Sequence, residues 1–153
     1  LAPVAETSLE LLEFRMAHER YAIESRYVRE VYPLQNLTPL PCTPPFVRGI
    51  VNVRGRITPV IDIKKFFDLP EQGLTDLHCI ILVGDDDIEF GLLADAIVGL
   101  ETLPAERLQP SLPTLTGIRS DYLKGVTGER LVVLDLGRIL AGPKIIEHDE
   151  VDA

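Results

Sequence analysis

The sequence contains no tryptophan, one methionine and only two cysteines. Two cysteines are too few for the disulfide framework of a small secreted domain. No apolar run approaches the ~20 residues that a membrane-spanning helix needs, and no basic segment followed by an apolar stretch resembles a signal peptide. We therefore expect a cytoplasmic protein. The chain begins at Leu1 in place of Met, which leaves open a trimmed or excised fragment.

Positive charge is also scarce. The chain has 15 Lys and Arg against 24 Asp and Glu, which gives a formal net charge of −9. Non-specific binding of nucleic acid requires a basic face, so this balance argues against it. The length of 153 residues and the hydrophobic fraction of 46% predict one folded domain with its own core.

Motifs for catalysis and metal binding are missing as well. We find no Gly-x-Ser-x-Gly elbow, P-loop or Gly-x-Gly-x-x-Gly sequence. The adjacent residues His78 and Cys79 would point to opposite faces of a strand, and His18 and His148 are remote, so no zinc spacing results. The run Asp85-Asp86-Asp87 lacks the ligand spacing of a calcium loop and predicts a turn. We expect a non-enzymatic protein without cofactor or metal.

The hydrophobic pattern that is present is mostly that of β-strands. Strands are predicted at 9–16, 21–23, 28–34, 50–53, 57–63, 79–83, 88–93, 97–103, 122–127 and 130–134, with short helical turns at 64–67, 105–108 and 137–140. Four prolines within 37–45 predict an extended connector. Many short strands at this spacing favour a barrel or sandwich, and the lack of long helices argues against a parallel sheet. Cys79 is expected to be buried within its apolar run.

The most informative segment is the predicted hairpin around Arg54-Gly55-Arg56. Gly55 can adopt a positive φ without steric cost, which favours a tight turn between the two strands. The turn would present two arginines on an acidic protein. They form either a solvated hairpin tip or a docking site, since a guanidinium suits carboxylates and backbone carbonyls.

A second segment is Val28-Arg29-Glu30-Val31. Alternation along a strand places Val28 and Glu30 on one face and the other two residues on the opposite face. The segment is either an ordinary edge strand whose charges oppose aggregation, or a strand that lines a groove with Glu30 at the polar rim.

Two further features accompany these segments. Gly49 predicts either a positive φ or a close approach of two backbones. Leu92, Leu93, Val98 and Leu100 are predicted to be mainly core residues, although some of them would suit a groove for an amphipathic helix, and Leu100 is our candidate contact.

Together these segments resemble the CheW-like family, the adaptor proteins of bacterial chemotaxis. The resemblance spans about residues 9–141 and is carried by Arg20-Tyr21-Ala22-Ile23, Val28–Val31, Pro41 through Asp62, Gly91–Asp95, 123–126 and 131–140. Two departures are small: Ala94 replaces a residue that is more often branched, and Asn-Val-Arg-Gly at 52–55 replaces the commoner Asn-Leu-Arg-Gly.

The resemblance implies a fold of two five-stranded, SH3-like β-barrel lobes around a shared hydrophobic interior, with the domain at 8–142 and loose tails at 1–7 and 143–153. It also implies a non-enzymatic adaptor that couples the cytoplasmic tips of methyl-accepting chemoreceptors to the regulatory domain of the histidine kinase CheA, in arrays at the inner membrane face. Neither nucleic acid nor direct insertion into the membrane is implied. The implied contact residues are Val28, Glu30, Val31, Gly49, Asn52, Arg54, Gly55 and Leu100, with Arg54 favoured over Arg56.

Two alternatives stay open at this point. The chain is a CheW-like module of a larger protein, such as an adaptor fused to a receiver domain or the regulatory domain of the kinase itself. Otherwise it is a small β-barrel that binds a ligand or carries an unrecognised hydrolytic site, which a polar cluster in a deep pocket would favour.

Overall fold

The computed structural model describes residues 8–16, 19–34, 37–67, 79–110 and 120–141. The described part is mostly β-structure, as the hydrophobic pattern predicts. The strands are β1 Ser8–Met16, β2 Glu19–Glu24, β3 Val28–Pro33, β4 Val47–Val53, β5 Arg56–Ile61, β6 Cys79–Gly84, β7 Glu89–Ala94, β8 Ala96–Pro104, β9 Leu123–Val126 and β10 Val132–Leu134. The helices are α1 Ile63–Phe66 and α2 Leu136–Ala141, with 3₁₀ turns at Ser25–Tyr27, Ala105–Arg107 and Ser120–Tyr122.

The strands form two sheets of five, which confirms the expected two-lobed architecture. We call the sheet β8-β1-β2-β10-β9 the terminal lobe, because it draws on both ends of the chain, and the sheet β3-β6-β7-β5-β4 the central lobe. Most neighbouring strands are antiparallel, but β2 pairs with β10 and β5 pairs with β7 in parallel. Each sheet is therefore mixed. The sequence argued against a wholly parallel sheet, but it did not predict these two parallel pairs.

Each sheet is closed by the chain that leaves its outer strand. Beyond β3, Thr38 exchanges two backbone hydrogen bonds with Ile50 of β4, both 2.9 Å long. Beyond β8, Gln109 exchanges two with Val126 of β9, at 3.0 and 2.9 Å. Both sheets thereby curl toward closed barrels, and these bridges pair backbone groups that an open edge would leave exposed.

The two lobes repeat one another in strand order and in sequence. The strands β3, β6, β7, β5 and β4 correspond in turn to β8, β1, β2, β10 and β9. The sequence Phe46-Val47-Arg48-Gly49 that enters β4 corresponds to Tyr122-Leu123-Lys124-Gly125 that enters β9. An aspartate caps the helix that follows each hairpin: Asp62 accepts from the backbone N–H of Lys64 at 3.0 Å, and Asp135 accepts from that of Arg138 at 3.1 Å.

The main core lies between the two sheets. Its members come from both lobes and include Phe14, Tyr21, Phe66, Phe90 and Tyr122. A smaller apolar cluster fills each lobe: Leu11, Ala22, Leu131 and Val133 in the terminal lobe, and Val51, Val60, Ile80 and Leu93 in the central lobe. The shared interior that the resemblance implied is therefore present.

Two local expectations were wrong. Cys79 is half-buried because it begins β6, at the margin of the sheet, and Cys42 is exposed; both are free. The strand predicted at 57–63 ends at Ile61, because Asp62 caps α1 and turns the chain. The predicted tails and His18, His78 and His148 lie outside the described residues. No helix in the described part is long and apolar enough to cross a membrane.

Candidate partner-binding site

The hairpin between β4 and β5 has the tight turn that its sequence predicts. Val53 pairs with Arg56, so the loop consists of two residues, Arg54 and Gly55. Their φ angles are 53° and 84°, both positive, which is the signature of a type I′ turn. The backbone N–H of Gly55 donates a hydrogen bond to Asn52 Oδ1 at 2.8 Å. The turn leaves 75% of the Arg54 side chain exposed.

An ion pair joins the two outer strands of the central lobe. Arg54 Nη2, at the end of β4, donates to Glu30 Oε1 on β3. The other carboxylate oxygen of Glu30 is buried, and no hydrogen-bond partner for it lies in the described part of the chain. A guanidinium has five N–H donors, so Arg54 keeps donors for a further acceptor while Glu30 holds it in place.

Burial alternates along the strand β3, but a bulge between Val28 and Glu30 puts Val28 on the same face as Val31, so the predicted placement of Val28 and Glu30 on one face is wrong. Val28 and Glu30 are half-buried, whereas Arg29 and Val31 are exposed, Val31 by 43%. Val28 packs against the shared core. The strand therefore presents the apolar side chain of Val31 to solvent on the side opposite to Glu30.

Gly49 has a structural role at this site. Its φ is +152°, and a Cβ atom added to it would lie 2.4 Å from the backbone oxygen of Thr38. That distance is far inside van der Waals contact, so only glycine lets the chain beyond β3 pair with β4. The predicted close approach is confirmed, and it brings together the strands that carry Glu30 and Arg54.

The same end of the central lobe carries further charges. Arg56 Nη1 lies 3.6 Å from a carboxylate oxygen of Glu89, with 73% of its side chain exposed. Arg29 Nη2 donates to the backbone oxygen of Asp85 at 3.1 Å. The acidic run is a turn, as predicted: two backbone N–H groups donate to Asp85 Oδ1 and hold the pKa of this carboxyl below its ordinary value. Each arginine at this end is thus held by an acceptor of its own.

The four aliphatic residues around Asp95 divide into two pairs. Leu92 and Leu93 are buried in β7, which confirms them as core residues. Val98 and Leu100 are exposed on β8, and Leu100 exposes 74% of its surface. The core prediction is therefore confirmed for the first pair and wrong for the second, and a partner contact by Leu100 stays a prediction.

Leu100 and Val31 occupy comparable positions at the margin of the shared core. Leu100 pairs with Leu12, and Val31 pairs with Ile81. Both partners belong to the shared core, and residues paired across two strands lie on the same face of the sheet. Each lobe therefore extends its core-facing side with an exposed aliphatic residue on its outer strand.

A charged cluster in the terminal lobe was missed by the sequence reasoning. Glu13 is 3% exposed and receives hydrogen bonds from Arg20 Nε at 2.7 Å and Nη2 at 3.1 Å. The bonds from Arg20 lower the pKa of Glu13, whereas hydrogen bonding to Glu13 raises the pKa of Glu101 on the neighbouring strand. The sequence signal for this cluster was an acid between Leu12 and Phe14, at a position that alternation places inside the lobe.

Within the described ranges, no group of three His, Cys, Asp or Glu could hold a metal.

Comparison with known proteins identifies the family to which this chain belongs. A family model described as the CheW-like domain matches residues 10–144. The chain belongs to the CheW-like family. It is similar to the chemotaxis protein CheW of Treponema pallidum, with 29% identity over 149 residues, 93% of this chain and 88% of that protein. It is also similar to the protein FrzA of Myxococcus xanthus, with 32% identity over 127 residues, 82% of this chain and 78% of that protein.

A solved structure of the CheW-like family supports the fold. The scaffolding protein TtCheW of Thermoanaerobacter tengcongensis superposes with a TM-score of 0.71 at 29% identity, over 84% of this chain and 90% of that one. Fold and family membership therefore agree for this CheW-like chain, whereas the roles of its individual site residues rest on the geometry described above.

Proposed function

We propose that this CheW-like chain is a non-enzymatic chemotaxis adaptor that couples the cytoplasmic tips of chemoreceptors to a CheA-type histidine kinase. Family membership supports this proposal, as do the names of the relatives, which include chemotaxis proteins and a scaffolding protein. The observation that carries it is Arg54, an exposed cation that a type I′ turn and Glu30 hold in place on a protein with a net charge of −9.

The exposed residues of the two lobes suit a helical partner. The exposed aliphatic residues Val31 and Leu100 offer apolar contact at the margin of the shared core, and Arg54 offers a charge-assisted hydrogen bond to a carboxylate. A receptor helix would lay its apolar face on these aliphatic residues, and an acidic residue of the helix would pair with Arg54 and so fix the register. Glu30 pairs with Arg54, Gly49 lets the lobe close and Gly55 completes the turn, so these residues support the position of Arg54, while Val28 packs against the shared core.

The regulatory domain of the kinase is the second proposed partner. Binding of both partners at one scaffold would bring receptor and kinase into fixed geometry, with no chemical step in the adaptor itself. The proposed location is the cytoplasmic side of receptor arrays, where receptor tips and kinase lie. Many weak contacts within an array add to a strong assembly, so modest pairwise affinities suffice.

The test compares Arg54→Ala with Arg56→Ala, two exposed arginines of the same hairpin. Both proteins and the wild type are titrated with a receptor-tip fragment and with the kinase regulatory domain, and circular dichroism confirms their folding. Loss of one charge-assisted hydrogen bond should weaken receptor binding by about tenfold or more in Arg54→Ala. Arg56→Ala should stay within about twofold of the wild type, as expected for an exposed ion pair.

Two outcomes would count against the proposal. A folded wild type that binds neither partner would remove the adaptor role altogether. Equal receptor binding by the wild type and Arg54→Ala would remove the role of Arg54 while leaving the adaptor role in place.

A further inference from the structure

The side chain of Asn52 forms a hydrogen bond with the backbone of the β4–β5 turn. Its Oδ1 accepts the backbone N–H of Gly55, three residues further along the chain, at 2.8 Å. We propose that Asn52 is a positioning residue, which fixes the turn that presents Arg54 to the partner and does not itself supply the contact. This inference rests on the proposed function.

The turn needs such a restraint because Arg54 adopts an unfavourable conformation. A residue with a Cβ atom loses on the order of 1 kcal/mol in the left-handed region, and Arg54 lies there with φ of 53°. Among the described residues, no atom lies within 4 Å of a Cβ atom added to the other turn residue, Gly55, so side-chain packing there does not restrain the turn. Hydrogen bonds therefore restrain the turn: Asn52 supplies one within the turn, and Glu30 holds the side chain of Arg54 from β3.

The direction of the Arg54 side chain depends on this backbone conformation. A change of φ from the left-handed region to the common regions would redirect the Cα–Cβ bond. The guanidinium would then lose its position beside Glu30 on β3. Without Asn52, the turn would sample such conformations, and the partner would have to select the competent one at a cost in affinity.

The terminal lobe provides a matched control. There, Thr127 Oγ1 accepts the backbone N–H of Leu131 at 3.2 Å, across the turn of the equivalent hairpin. Arg130 of that turn also has a positive φ, 67°. Thr127→Ala therefore removes a side-chain to backbone hydrogen bond across a longer turn, on the lobe that does not carry Arg54.

The experiment uses the full chain and three variants: Asn52→Ala, Asn52→Asp and Thr127→Ala. Exchange of the Gly55 amide hydrogen is followed by NMR, and affinity is measured with the receptor-tip fragment. Asn52→Ala should speed the exchange and weaken binding about fivefold to tenfold, the effect expected of one hydrogen bond. Asn52→Asp should restore protection and most of the affinity, because a carboxylate oxygen accepts the same N–H. Thr127→Ala should bind within about twofold of the wild type.

A second route tests the same idea without changing Asn52. Gly55→Ala strains the turn at its φ of +84° but introduces no steric contact, so it should also weaken binding. Unchanged Gly55 exchange in Asn52→Ala, or faster exchange with unchanged affinity, would overturn the inference. Equal loss of affinity in Asn52→Ala and Asn52→Asp would overturn it as well, because it would show direct contact by the carboxamide N–H₂. Failure of the wild type to bind would instead overturn the proposed function beneath it.

Discussion

Replacement of Gly49 by alanine should destabilise the protein more than a glycine substitution of similar φ elsewhere. The new Cβ atom would lie 2.4 Å from the backbone oxygen of Thr38, so the chain beyond β3 has to move away from β4. The two hydrogen bonds between Thr38 and Ile50 would break, at about 1 kcal/mol each. Strain of a side chain at φ +152° adds about 1–3 kcal/mol. The free energy of unfolding should therefore fall by about 3–5 kcal/mol.

Thermal and urea unfolding followed by circular dichroism would measure this loss. At this chain length, 1 kcal/mol corresponds to about 2–4 °C in Tm, so Gly49→Ala should lower Tm by about 6–20 °C. Gly99→Ala is the control, because Gly99 has a φ of +147° but no atom within 4 Å of the added Cβ. It should lose only the strain, about 1–3 kcal/mol. Equal losses in the two variants would refute the role given to barrel closure.

Two further predictions concern the charged cluster of the terminal lobe. Arg20→Ala leaves the buried carboxylate of Glu13 without its main donor and should lower the free energy of unfolding by about 1–3 kcal/mol in a urea titration. Arg138→Ala removes an exposed ion pair and should lower it by less than about 1 kcal/mol in the same titration. A larger loss in Arg138→Ala than in Arg20→Ala would contradict this ranking. The raised pKa of Glu101 means that its contribution to stability is present below its ordinary pKa of 4.5 and is lost as the pH rises through the folded-state pKa. Glu101→Gln should therefore raise Tm by about 1–3 °C at pH 7 and make no difference at about pH 4, and a gain that grew as the pH fell would show the opposite sign of linkage.

Local features of the fold could be predicted because they depend on neighbouring residues. Alternation located the strands, and the sequence Arg54-Gly55 located the two-residue turn. Period two predicted that Val31 and Glu30 lie on opposite faces, but it could not predict the bulge that puts Val28 on the face of Val31. The family resemblance, and not the pattern, supplied the division into two lobes.

Contacts between distant segments could not be predicted in the same way. The Glu30–Arg54 pair joins residues 24 positions apart and depends on the closure of a barrel. The parallel pairing of β2 with β10 joins the two ends of the chain. The sequence did indicate that Glu13 is buried, since this acid lies among core positions and a buried acid requires a partner. It did not identify that partner, because Arg20 lies on another strand. Partner binding by Arg54 and Leu100 stays a prediction.

The interleaved course of the chain has a consequence for synthesis on the ribosome. The central lobe is built from consecutive strands, β3 to β7, and all of its hydrogen-bonded neighbours emerge before β8 does. The terminal lobe cannot close until β10 and β9 reach β2, so the hairpin of β1 and β2 has to wait for almost the entire chain. Until then, the core-facing sides of both lobes stay exposed to water. The nascent protein therefore carries its largest apolar surface just before β9 and β10 emerge, which is when a chaperone would protect it most.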